Sequence, residues 1–243
     1  MKKKLKNILI IIIEIIFILL LIFSVYKIVI WFKDNKENKT ILDDVSKNIK
    51  INKNKNEYEV DFQGLKKENP DTVAWIKVNG TKIEYPVVKA SDNEFYLNHN
   101  FQKKYNVGGW VFADYKNKFD GSDKNIIVYG HNMKDGSMFG TLKNTLKSDW
   151  QNEENNYLIT FITENETSVY KVFSTYRIEN EEYYIQTEFL DELNYMNFLT
   201  TLKQRSNNYY NEALNENDKI LTLSSCASSK YRVVLHAKKI DWK

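Results

Sequence analysis

A chain of 243 residues is long enough for one well-packed domain with an appendage and too short for two large domains. Its 35 basic residues against 32 acidic ones leave a formal charge of +3, a balance that gives no basis for nucleic-acid binding. The single cysteine excludes any disulfide within the chain, so its thiol is either a small buried hydrophobe or a reactive group.

The N-terminus is basic over residues 1–7, with Lys2, Lys3, Lys4 and Lys6. An apolar run from Ile8 to Phe32 follows, broken only by Glu14, Ser24 and Lys27. As a helix this run spans a bilayer core of roughly 30 Å with some tilt. It exceeds a signal-peptide core and lacks a small-x-small cleavage site, so an uncleaved anchor over 8–32 is expected. The lysines ahead of it place the tail in the cytoplasm and the rest of the chain outside, with Lys33 and Lys36 weighing the other way. Glu14 lies close enough to the start of the run to reach the interface, which favours that reading over an intramembrane function. Residues 33–56 read as a polar linker, partly helical because Ile41, Leu42, Val45 and Ile49 have helical spacing.

From residue 57 to 243 short β-type runs alternate with turns. Thr72–Val78 leads into Asn79-Gly80, a hairpin signal, and then into Lys82–Val88. Further strands are expected at 109–113, 125–129, 157–163, 169–178, 219–225 and 231–240. Between residues 188 and 206, Phe189, Leu190, Leu193, Met196, Phe198, Leu199 and Leu202 keep a helical period instead, with Asp191 and Glu192 near its start. The fold class is therefore mostly β, a small closed barrel with helical insertions.

Few residues can carry chemistry. Cys226 ends an alternating strand and is followed by Ala227, Ser228 and Ser229. A thiol at a strand end among small residues is open to a substrate, whereas a structural cysteine belongs mid-strand among large apolar neighbours. Arg232 opens the next strand, where a fixed positive charge can stabilise a thiolate or an oxyanion; the alternative is an ordinary arginine on a sheet edge. Arginine is otherwise found only at positions 177 and 205, so lysine serves nearly every other cationic position. His131 also sits where an apolar strand, Ile126–Tyr129, runs into a glycine and a turn. His236 shares a strand face with Arg232 but stands roughly 13 Å along it. His99 has no apolar strand leading to it. His131 thus ranks first, although any one histidine taken alone can be structural. No Cys/His cluster has zinc spacing and no acidic pair forms a calcium loop, so neither metal nor cofactor is expected.

With these residues assembled, the chain resembles the sortases, and more narrowly class B. The segment Thr222-Leu223-Ser224-Ser225-Cys226 with Arg232 resembles the superfamily signature. Tyr129–Phe139 resembles the class B sequence around its histidine, and Glu68–Ile76 resembles an N-terminal class B segment. The likeness covers roughly residues 57–243. The helix at 188–206 falls where class B members carry one between their sixth and seventh strands.

The resemblance implies an eight-stranded β-barrel and a two-step transpeptidation in a Gram-positive cell wall. Cys226 is the implied nucleophile on a sorting signal near the C-terminus of a surface protein, giving a thioacyl-enzyme. His131 is the implied acid and base, and Arg232 the group that holds substrate and oxyanion. The implied acceptor is an amine of a cell-wall peptide or of its lipid-linked precursor. By matching position, Asn93, Leu97, Tyr184, Ile185 and Ser224 resemble residues that line the signal-binding groove. Ser225 replaces the family's usual threonine, and Ala227 an acidic residue of some members; a backbone N–H at 227 is still available to an oxyanion hole. Polymerisation of pilin subunits, a thiol hydrolase and an inactive tethered binding module remain as alternatives.

Overall fold

The computed structural model describes residues 2–52, 57–179, 181–226 and 230–241. The first element is a single helix, α1 (Lys2–Val45). Its apolar stretch is exposed on every face, at Ile8, Phe17, Leu21 and Val29 alike. A helix that is apolar all round and uncovered by protein suits an apolar solvent, and this one is long and apolar enough to cross a membrane.

The linker expected from residue 33 is mostly the same helix continued. Beyond Phe32 the helix docks on the barrel. The Asp34 carboxylate accepts from the Val107 N–H at 2.9 Å, and Asn38 Nδ2 donates to Asn106 Oδ1 at 3.0 Å and to the Gly109 carbonyl at 3.2 Å. Ile41 and Val45, two of the four apolar positions with helical spacing, are buried in the main core. A hairpin of β1 (Ile49–Asn52) and β2 (Glu57–Val60) follows, pairing Ile49 with Val60. Strand β1 occupies a stretch expected to be a solvated spacer, while β2 opens the expected catalytic domain, where Tyr58 and Val60 alternate with charged residues. Next, α2 (Phe62–Glu68) is capped by Asp61, whose carboxylate accepts from the Gly64 N–H at 2.9 Å.

The barrel strands are β3 (Thr72–Val78), β4 (Glu84–Val88), β5 (Phe112–Ala113), β6 (Asn125–His131), β7 (Leu158–Thr163), β8 (Thr167–Glu179), β9 (Ile220–Cys226) and β10 (Tyr231–Ile240). A single-turn helix, α3 (Ser148–Gln151), precedes β7, and α4 (Glu192–Gln204) lies between β8 and β9. Each expected strand is present, within a few residues of its expected ends. The sheet closes in the order β10-β8-β7-β3-β4-β5-β6-β9, so no strand edge is left open. Pairing is antiparallel except at β4–β5 and β6–β9. The main core includes Trp75, Ile76, Trp110, Val128, Phe161, Leu221, Leu223 and Leu235.

A second core forms against α4. Tyr195, Phe198, Leu199 and Leu202 recur at intervals of three or four and pack with Phe173, Tyr176, Tyr184 and Val234. Asp191 caps this helix, accepting from the Asn194 N–H at 2.7 Å. His236 lies fully buried beside it. Its Nε2 is 2.8 Å from the Tyr176 hydroxyl and its Nδ1 2.9 Å from Thr222 Oγ1. Tyr183 donates to Tyr176, and Thr222 donates to Asn125 Oδ1. The bonds therefore run in one direction, from Tyr183 through Tyr176, the ring and Thr222 to Asn125. Only a neutral ring, accepting at Nε2 and donating at Nδ1, fits that chain.

Burial pushes His236 down from 6.5 to about 3. Below pH 6.5 the unfolded chain takes up a proton that the folded ring refuses. Between that point and about pH 3 the barrel should therefore lose about 1.4 kcal/mol of stability per pH unit, and nothing further from this residue outside that window. Urea titrations at several pH values should show that component in the wild type and its loss in His236→Gln. Equal pH slopes in the two proteins would contradict the assignment.

Candidate active site

Strand β6 is apolar from Ile126 to Tyr129, then passes Gly130 and turns after His131. The His131 carbonyl accepts from both Met133 N (3.0 Å) and Phe139 N (2.9 Å), which folds residues 132–139 back over the strand end. Gly130 is needed for this approach, because a Cβ there would come within 2.7 Å of the buried Phe139 ring. Strand β9 runs parallel to β6, and the register pairs Tyr129 with Ser224, Gly130 with Ser225 and His131 with Cys226. The two candidate residues thus end neighbouring strands, whose backbones lie about 4.8 Å apart.

Strand β10 returns antiparallel, with Val234 opposite Ser224. Arg232 lies two residues before Val234, beyond the last pair of that ladder, near the start of β10. Ser225 anchors this return, since its buried hydroxyl accepts from the Val233 N–H at 2.8 Å. The serine found where the family has threonine therefore keeps a hydroxyl that the hairpin uses. Cys226 is described in its backbone only, and Ala227 lies outside the described residues.

Side chains order the two flanks. His131 Nε2 is 2.7 Å from the Leu97 carbonyl. A neutral ring donating there keeps Nδ1 as an acceptor. Arg232 Nη1 is 3.5 Å from the Tyr184 hydroxyl, which in turn lies 2.8 Å from Ser224 Oγ. A cavity of about 650 Å³ opens between these groups, lined by His131 and Arg232 together with Asn93, Leu97 and Ile185. Its size suits an extended peptide segment. Of the five groove residues read from the sequence, Asn93, Leu97 and Ile185 face this cavity. Tyr184 and Ser224 are fully buried behind its wall and are connected to it through Arg232.

Some residues at the site carried no sequence signal. Asp114, almost fully buried, accepts from Asn93 Nδ2 and from the Tyr129 hydroxyl, both at 2.8 Å, and so fixes the Asn93 wall. Glu182, Val107, Met133 and Trp31 also line the cavity. Trp31 comes from α1, far away in the chain. The other two histidines stand apart: His236 is in the second core, and His99 stacks on Phe95 at 4.1 Å with Nδ1 2.8 Å from the Phe95 carbonyl. Among the described residues no group of His, Cys, Asp and Glu is arranged to hold a metal ion.

Comparison with known proteins gives the same picture. Residues 76–240 match the model of the sortase domain. The chain is 36% identical over 218 residues to sortase B of Listeria monocytogenes, covering 86% of each. It superposes on the crystal structure of sortase B from Bacillus anthracis with a TM-score of 0.78 at 30% identity, covering 87% of this chain and all of that one. It also superposes on a Staphylococcus aureus sortase B–substrate complex with a TM-score of 0.70 at 33% identity, covering 75% and 85%. Over most of its length, and across the strands that carry His131, Cys226 and Arg232, the chain therefore belongs to the sortases, within class B, and is a cysteine transpeptidase.

Proposed function

We propose that this enzyme is held in the cell membrane by residues 8–32, with residues 1–7 in the cytoplasm, and that it attaches surface proteins to the cell wall. In this division residues 33–56 lead from the anchor to a catalytic domain at 57–243 on the outer face. The exposed apolar length of α1 supports the anchor, and its basic start supports the orientation.

The observation that carries the chemical reading is the register that pairs His131 with Cys226 at the ends of β6 and β9, with Arg232 on the next strand. Cys226 gives its thiol proton to His131, and the resulting thiolate attacks a backbone carbonyl of the sorting signal. The tetrahedral intermediate expels an amine, which takes a proton from His131, and a thioacyl-enzyme remains. An amine of a cell-wall peptide or its lipid-linked precursor then attacks the thioester and gives its proton back to His131, and the thiolate leaves. Arg232 supplies the fixed positive charge beside the developing oxyanion. Tyr184, buried and bonded towards Ser224, orients the guanidinium. A substrate-bound sortase B among the structural neighbours supports a peptide occupant for the cleft lined by Asn93, Leu97 and Ile185.

A peptide for the test comes from the exported proteins of the same genome, by searching for a C-terminal signal followed by an apolar segment and a basic tail. With that peptide, the full-length protein should yield a product joined to an added peptide amine, and Cys226→Ala should yield none. Product that ignores the amine would identify a hydrolase instead, and turnover by Cys226→Ala would remove the thiol from the mechanism. His131→Ala should lower turnover by at least about 100-fold, the scale of general acid–base catalysis, while His236→Ala in the same assay should retain activity. The reverse pattern would overturn the assignment of His131.

A further inference from the structure

We infer that Trp31, contributed by α1 and not by the barrel, is a substrate-positioning residue on the amine side of the cleft. The inference rests on the transpeptidase reading above and adds to it a residue outside the matched domain, which begins at residue 76.

Among the residues lining the cleft, two sets are tied to the two candidate residues by sequence and bonding. On the Arg232 side stand Glu182 and Ile185, flanking Tyr184, whose hydroxyl faces the guanidinium. On the His131 side stand Leu97, whose carbonyl meets Nε2, then Asn132 and Met133, which directly follow His131, and finally Val107 and Trp31. Val107 and Trp31 belong together because the Val107 N–H donates to Asp34, one helical turn beyond Trp31. The position is held by further bonds along α1, from Asn35 Nδ2 to Asp135 Oδ2 at 3.0 Å and from Asn38 to Asn106. The indole is half-buried and packs against the main core, with its ring edge-on to Phe32 at 5.0 Å. It forms part of the cleft wall.

The chemistry says which substrate that wall meets. The amine expelled in the first step and the amine that enters in the second exchange a proton with the same histidine, so both occupy the His131 side. The acyl half of the sorting signal takes the Arg232 side. A second groove opens beside the cleft at the end of the proposed anchor, with Lys27, Ile28, Trp31 and Phe32 of α1 on one side and Asn132, Met133 and Lys134 of the turn after His131 on the other. An amine-bearing chain lying in that groove reaches the cleft past Trp31. A flat aromatic surface there orients the chain.

The test uses the full-length protein in lipid nanodiscs. The acyl donor is a thioester of the acyl half of the sorting peptide, so that its leaving group carries no peptide, and the acceptor is triglycine. Thioacyl-enzyme formation, its hydrolysis and its aminolysis are measured for wild type, Trp31→Ala and Trp31→Phe. Loss of an aromatic contact of this kind should raise the half-saturating triglycine concentration of Trp31→Ala by about 5-fold. Acylation and hydrolysis rates should stay as in the wild type, and Trp31→Phe should restore most of the amine response. An unchanged half-saturating concentration in Trp31→Ala would overturn the inference. So would a parallel fall in acylation, hydrolysis and aminolysis in both variants, which would mark a structural role. A wild type that forms no thioacyl-enzyme contradicts the transpeptidase reading itself, and this inference with it.

Discussion

The site depends on one backbone constraint, the parallel pairing of β6 with β9. Seven consecutive residue pairs run from Asn125–Ile220 to His131–Cys226, and the register cannot slip by one without turning every side chain to the opposite face. Buried residues hold it from both sides. Leu221 and Leu223 pack in the main core, while Thr222 and Ser224 bond to Asn125 and Tyr184 on the α4 side. A residue at the end of either strand is therefore placed by the whole length of the ladder. Neither depends on a loop for its position. Rigid placement of this kind suits a nucleophile and its proton partner, whose separation has to be held to a fraction of an ångström.

The third strand extends the same logic. Arg232 enters through an antiparallel hairpin whose turn side is tied by Ser225 rather than by a further backbone pair. Its guanidinium then faces the buried Tyr184 hydroxyl, so a group of permanent charge is oriented by a neutral one that is shielded from solvent. Asp114 plays the corresponding part on the opposite wall, where one carboxylate bonds Asn93 and Tyr129 together. The cleft is in this sense a polar seam between two apolar cores.

Much of this was legible in the chain. The barrel strands were identified as short β-type runs bounded by turns, and the 3.6 period of α4 was visible because one apolar face of that helix packs in the second core. The single cysteine narrowed the nucleophile to one residue, and the strand-end positions of Cys226 and His131 were visible from the glycine and small residues that follow each strand. What could not be read was long-range. No local pattern brings Asp114 to Asn93 or Trp31 to His131. Tyr184 and Ser224 matched groove residues by position, yet their hydroxyls are used inside the wall. The β1–β2 hairpin was missed because its strands are short and half polar. Residues 33–45 read as a linker because their polar surface hid a buried stripe, of which Asp34 and Asn38 are members by hydrogen bonding rather than by hydrophobicity.

That stripe docks the C-terminal part of α1 directly on the barrel. The central claim, that the ladder register makes Cys226, His131 and Arg232 one chemical unit, is tested most directly on the thiol itself. The chain holds no other cysteine, so the rate of iodoacetamide alkylation against pH reports Cys226 alone. The expected result is a profile that moves when His131 or Arg232 is replaced and stays in place when His236 is replaced. A profile centred at the ordinary thiol value near 8.5 and indifferent to all three substitutions would contradict it.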